Sequence, residues 1–149
     1  MKGYTIRVYA IIEHEGEILL SDECVGEVYF TKFPGGGHEW GEGIADTVVR
    51  ELKEEMDVEV ESMHHFYTTD FFVTSKFDKQ KQVVSVYYRV KLKNPDQILL
   101  TAQAFDFDKS LNKAESFRFV PFDELKPETV TFPIDQKVVE MLIGERNAD

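Results

Sequence analysis

A mixed α/β fold is what this sequence predicts, on three observations. Short runs rich in β-branched and aromatic residues recur along the chain, separated by polar turns. One long amphipathic helical pattern interrupts them and a second closes the chain. The length, 149 residues, suffices for one well-buried core and is short for two ordinary domains, so a single domain over residues 1–149 is expected.

Taken in order, residues 4–12 read as a strand, 13–17 as a polar turn and 18–20 as a short strand, the two strands forming a hairpin. Residues 21–27 read as loop and 28–33 as the strand that feeds Pro34 and the triplet Gly35, Gly36, Gly37. Pro34 restricts Phe33 to an extended conformation, so the strand is expected to end there. The glycines are then free to take positive φ and bring backbone groups close to a ligand. From 44 to 56 the residues Ala45, Val48, Val49, Leu52 and Met56 recur at spacings of three and four, the period of a helix with one buried face. Residues 58–69 read as a strand, and 71–73 and 83–90 as two more around the polar stretch 75–82. Asn94-Pro95-Asp96 marks a turn. A short strand at 98–101, a loop without sustained period at 104–114 and a strand at 117–120 follow, then one helical turn at 122–125. Pro133 suits a helix start, and Ile134, Val138, Met141 and Leu142 supply that helix with an apolar face before Gly144.

The chemistry concentrates on the central helix. With about 100° of rotation per residue, Glu51 and Glu55 fall side by side at the border of the apolar stripe, and Glu54 sits just beyond Glu51. The three form one acidic wedge near the C-terminal end of the helix. Like charges at this spacing repel by roughly 0.2–0.5 kcal/mol per exposed pair, and the macrodipole disfavours anions there. A hard divalent cation offsets that repulsion through oxygen ligands while also engaging substrate phosphates. A solvated acidic helix face is the simpler reading of the same residues.

The segment from Gly36 to Val58 resembles the signature of the Nudix hydrolases: a glycine, five residues, a glutamate, seven residues, then Arg-Glu-apolar-any-Glu-Glu-any-Gly-apolar. Gly36 opens the match, Glu42 is the first acid, Arg50-Glu51-Leu52 the central triplet, Glu54-Glu55 the paired acid and Val58 the closing apolar residue. Asp57 stands where the family has its last glycine; aspartate tolerates the left-handed conformation that ends such a helix better than most residues do. The resemblance implies an α/β/α sandwich with a mixed sheet. It also implies divalent-metal-dependent hydrolysis of the diphosphate linkage in a nucleoside diphosphate joined to another group. Ligands are then expected at Glu51 and Glu55, helped by Glu54 and the Gly36 carbonyl, with magnesium as the ion and manganese as a substitute; Glu54 and Glu55 are the catalytic acids of the helix. A nucleoside triphosphate or an ADP-ribose-like compound falls within this substrate class. The alternative is a catalytically inactive protein that binds or senses a nucleotide on the same scaffold.

Other residues have two readings each. Arg50 either binds phosphate or pairs with Glu42 to hold the glycine segment to the helix. Lys32 is a phosphate candidate or an exposed strand lysine. Glu115, at the junction of the 104–114 loop and the next strand, is the candidate general base in preference to Asp106 or Asp108, or else a solvent-facing acid. His38, His64 and His65 do not suggest zinc, because adjacent residues in extended chain point to opposite faces. Tyr29, Trp40, Phe71, Phe72, Tyr87, Phe105 and Phe107 are base-stacking candidates or ordinary core and sheet material.

A formal net charge of -11 disfavours polymeric nucleic acid as a partner, since that backbone is held by lysine and arginine. A small phosphorylated substrate remains compatible. The single cysteine, Cys24, excludes an internal disulfide. The N-terminus lacks a secretory pattern and no apolar run is long enough to span a bilayer, so no membrane partner and a cytoplasmic location are expected. An edge strand or the N-terminal hairpin is a candidate surface for a homodimer.

Overall fold

A computed structural model describes residues 1–148 and confirms a mixed α/β chain with a mixed sheet and two helices. The chain divides into two compact units, Met1–Ile12 with Pro34–Gln97, and Glu13–Phe33 with the segment from Ile98 onward.

In the first unit, β1 (Gly3–Ile11), β5 (Gly35–Gly37), β6 (Val60–Thr68) and β7 (Lys81–Leu92) form a sheet in the order β5-β1-β7-β6. β1 runs parallel to β7 and antiparallel to β5, which makes the sheet mixed. The helix α1 (Ile44–Met56) packs on β5 and β1. Its boundaries coincide with the periodic stretch because the period itself is the burial signal. Val48 and Leu52 are fully enclosed, each contributing about 1.5–3 kcal/mol relative to exposure. The buried stripe is narrower than the sequence predicts: Thr47 joins Val48, Leu52 and Met56, whereas Ala45 and Val49 lie exposed. The expected strand at 71–73 is absent; an isolated bridge between Thr74 and Gln82 takes its place, and Phe72 is 71% exposed.

In the second unit, β2 (Glu13–His14), β3 (Glu17–Val25), β4 (Val28–Lys32) and β8 (Lys113–Pro121) form the other sheet, with β3 between β4 and β8. The hairpin expected between the first two strands is not formed: β3 pairs with the short β2 across a turn at Glu15 and Gly16, both at positive φ. β3 also continues through residues 21–25, where a loop was predicted. Its polar residues point into satisfied positions. Asp22, fully buried, accepts hydrogen bonds from Arg118 Nε at 2.7 Å and Thr31 Oγ1 at 2.7 Å. A buried carboxylate is tolerable only with such partners. No strand forms at 98–101; Leu100 makes only a bridge to Phe117, and β8 begins at Lys113 rather than at Phe117. The helix α2 (Pro133–Asn147) starts on Pro133 and buries Ile134, Val138, Val139 and Leu142, and it runs past Gly144. Among the described residues no helix is long and apolar enough to cross a membrane.

Candidate active site

The three glycines make the edge strand β5, not a free loop, with Val8 opposite Gly36 and Arg7 opposite Gly37. The Ala10 amide donates to the Pro34 carbonyl and the His38 amide to the Ile6 carbonyl, so pairing with β1 extends one step beyond each end of the triplet. Glycine is required at two of the positions. At Gly35, φ is 145° and a Cβ would lie well inside contact distance of the Val8 carbonyl oxygen. At Gly36 a Cβ would lie 2.5 Å from Oε1 of Glu51. The missing side chain is what lets the Glu51 carboxylate lie directly against the strand backbone.

Arg50 ties this strand to the helix. Its Nε and Nη2 donate to the two carboxylate oxygens of Glu42 at 3.0 and 2.8 Å, and Nη2 also donates to the Gly37 carbonyl at 3.0 Å. Its Nη1 donates to Glu51 at 3.0 Å and to Glu54 at 3.3 Å, with Glu39 at 3.7 Å. The bidentate arm is the stronger geometry. Hydrogen bonding from Arg50 is the main reason that the Glu42 carboxyl is held down to about 2, and the same pairing keeps the guanidinium charge well above its ordinary range. Of the two readings for Arg50, bracing of the glycine segment through Glu42 is the one this geometry displays.

A second chain of hydrogen bonds reaches Glu42 through Thr47. Thr47 Oγ1 donates to Glu42 Oε1 at 2.8 Å, and His38 Nδ1 lies 2.8 Å from the same hydroxyl. Since the hydroxyl proton goes to the carboxylate, Nδ1 is the protonated nitrogen and donates to Oγ1. Gly43 begins the helix in an extended conformation, and its amide donates to Asp46 Oδ2 at 3.0 Å. Sequence reasoning passes over Thr47 and considers His38 only as a zinc ligand, because both occupy variable positions of the signature.

The three helix carboxylates differ in setting. The Glu51 side chain is 15% exposed and Glu54 is 60% exposed, while Glu55 is half-buried with its Oε2 enclosed. Among the described residues no three His, Cys, Asp or Glu side chains converge closely enough to share a cation as they stand. The cation in contact with Glu51 and Glu54 is Arg50. The donor set nonetheless suits a hard ion: every group is an oxygen donor, Glu51 already touches the backbone at Gly36, and no thiol or imidazole belongs to it.

Lys32 is neither exposed nor directed to solvent. It is 3% exposed, pairs with Glu23 at 2.8 Å and donates to the Phe33 carbonyl at 3.2 Å, the last residue before Pro34. Glu115 is exposed and lies within β8, opposite Glu23, two residues inside the strand and not at a loop junction. Tyr29, Phe105 and Phe107 pack on one another with ring centroids 5.5–6.2 Å apart. Trp40 is fully exposed and Tyr87 fully buried.

With this geometry in view, the relatives can be compared. The family model described as NUDIX domain matches residues 1–142. No curated protein sequence is a significant match. Solved structures with the same fold include the ORF135 protein of E. coli, at a TM-score of 0.68 and 23% identity over 99% of this chain and 94% of that one. A MutT structure from work on Aliivibrio salmonicida and Vibrio cholerae has a TM-score of 0.61 and 21% identity, covering 97% and 99% of the two chains. The MutT NUDIX hydrolase from Burkholderia pseudomallei has a TM-score of 0.64 and 18% identity over 94% and 98%. These identities bear on fold alone; the family model, spanning nearly the whole sequence together with the glycine-to-valine segment, establishes that the chain belongs to the Nudix hydrolase family.

Proposed function

We propose that the protein hydrolyses the diphosphate linkage of a small nucleoside diphosphate derivative, with magnesium as its ion and manganese as a substitute. The observation that carries this reading is the contact between the Glu51 carboxylate and the side-chain-free backbone at Gly36, with Glu54 and Glu55 on the same end of α1. Glu51 and Glu55, assisted by Glu54 and the Gly36 carbonyl, would hold the cation. When bound there, such an ion neutralises phosphoryl oxygens and lowers the pKa of water. Arg50 and Glu42 keep the glycine strand pinned to the helix while substrate binds, so that the ligand groups do not have to be organised during the reaction. In the chemical step a bond forms from water oxygen to phosphorus as the bond from phosphorus to the bridging oxygen breaks. The water proton passes to a carboxylate, for which Glu115 is our candidate, and the departing phosphate or phosphate ester carries the bridging oxygen away.

Discrimination among substrates belongs to residues outside the signature. The test is therefore a panel of nucleoside triphosphates, sugar nucleotides such as ADP-ribose and dinucleoside polyphosphates, each with and without magnesium, with both phosphate and pyrophosphate measured. Metal-dependent release from at least one class is expected. Tight nucleotide binding without any release across the panel would replace hydrolysis with sensing.

A further inference from the structure

Successive residues of a strand face opposite sides of the sheet, and β5 places a different charge on each. The Cβ direction of Gly36 leads to the Glu51 carboxylate; that of Gly37 leads to Arg7, whose Nη1 would be 3.4 Å from a Cβ there. Arg7 reaches this position because β1 and β5 pair with Arg7 directly opposite Gly37. The side chain is half-buried and held in orientation: its Nε donates to Tyr9 Oη at 3.1 Å, and its guanidinium carbon lies 5.8 Å from the centre of the Tyr9 ring. Tyr9 is itself 7% exposed and packs on the fully buried Tyr87, with ring centroids 5.3 Å apart. The guanidinium therefore rests on a stiff aromatic support, with Nη1 as the atom nearest the glycine strand.

We propose that Arg7 binds a phosphoryl oxygen of the substrate from the face of β5 opposite Glu51. This role rests on the diphosphate-hydrolase reading above and adds to it a positive group that the signature does not contain. A guanidinium is suited to the task, since its planar fork matches two oxygens of one phosphoryl group and its charge does not titrate. Electrostatics gives the same direction. A polyanionic substrate approaching a chain of net charge -11, at an edge crowded by Glu39, Glu42, Glu51 and Glu54, meets repulsion that the nearby guanidinium reduces. The Gly37 carbonyl accepts from Arg50, whereas among the described residues the space a Cβ would take at Gly37 is bordered by Arg7 Nη1, so an oxygen seated there would meet that nitrogen.

The experiment uses methylene diphosphonate, whose P–C–P link cannot be hydrolysed, and measures its binding by calorimetry in saturating magnesium. Arg7→Met is expected to weaken diphosphonate binding at least tenfold, leave the affinity for magnesium alone unchanged and keep the thermal midpoint within a few degrees. Arg7→Lys should recover part of the loss, because it restores charge without the fork. In the unaltered protein, magnesium with diphosphonate should slow modification of Arg7 by phenylglyoxal severalfold, read by peptide mass mapping. This second measurement decides the matter if Arg7→Met fails to fold. Undiminished diphosphonate binding by a folded Arg7→Met, or an unprotected Arg7 in the liganded protein, overturns the assignment while leaving the diphosphate reading in place. Absence of any magnesium-dependent diphosphonate binding by the unaltered protein overturns both.

Discussion

Glu54 and Glu55 are adjacent in sequence, yet the helix turns them into different environments, one largely in solvent and the other half-buried with an enclosed oxygen. On the proposed reading, this difference would make Glu55 the principal ligand and Glu54 a supporting one. Glu55→Gln keeps the shape and removes the charge, so the fold should persist while magnesium-dependent turnover falls by about 10²-fold or more, the scale of losing an electrostatic group that acts in the transition state. Glu54→Gln should cost about tenfold. A magnesium titration of kcat with an established substrate checks both; near-normal kcat in Glu55→Gln removes it from the site. Lys32 teaches a related lesson at the same scale. Its place just before the glycines suggests phosphate, but its ammonium is buried against Glu23 and the Phe33 carbonyl, where it supports the strand end.

The two ends of α1 are finished by different devices, and each has a measurable consequence. Before the N-terminus, Glu42 gathers Arg50, Thr47 and the Glu39 amide, and its pKa is lowered from 4.5 to about 2, chiefly by Arg50. A carboxylate whose pKa is lower in the folded than in the unfolded chain stabilises the fold fully above the unfolded value, and that contribution disappears as pH falls through the folded one. Thermal midpoints of the wild type should therefore exceed those of Glu42→Gln above pH 4.5, with the gap closing progressively between pH 4.5 and about 2. A gap that stays constant across that range contradicts the assignment. At the C-terminal end, Asp57 adopts φ 54° and ψ 42°, its amide donates to the Lys53 carbonyl, and its carboxylate pairs with Lys53 at 2.7 Å. The left-handed conformation costs alanine roughly 1 kcal/mol, aspartate adopts it more readily, and an exposed ion pair contributes little. Asp57→Gly should thus lie within about 0.5 kcal/mol of wild type in urea unfolding, and Asp57→Ala should lose about 1 kcal/mol. Activity should be unaffected by either.

At the scale of the molecule, α1 belongs to one compact unit and Glu115 to the other. If Glu115 is the general base, Glu115→Gln should lower kcat by about 10²-fold or more at saturating magnesium, with little change in thermal midpoint. Pre-steady-state kinetics exclude slow product release as a mask, and a much smaller loss there removes Glu115 while leaving the helix-borne groups in place. The parts of this molecule that were legible from the amino-acid order are those whose stabilising partners lie within a few residues. The limits of α1, the left-handed Asp57, the start of α2 on Pro133 and the pairing of Arg50 with Glu42 all follow from helical period, capping and short separations along the chain. The path of β3 through Ser21–Val25 was not legible, because Asp22 reads as a loop residue until Arg118, 96 positions away, arrives to neutralise it. The parallel pairing of β1 with β7, the recruitment of the glycines into β5 and the meeting of Arg7 with Gly37 were equally hidden. Period and propensity describe which face of an element is apolar; which strands become neighbours, and in what register, depends on hydrogen bonds and burial shared between distant segments, and only the assembled sheet supplies them.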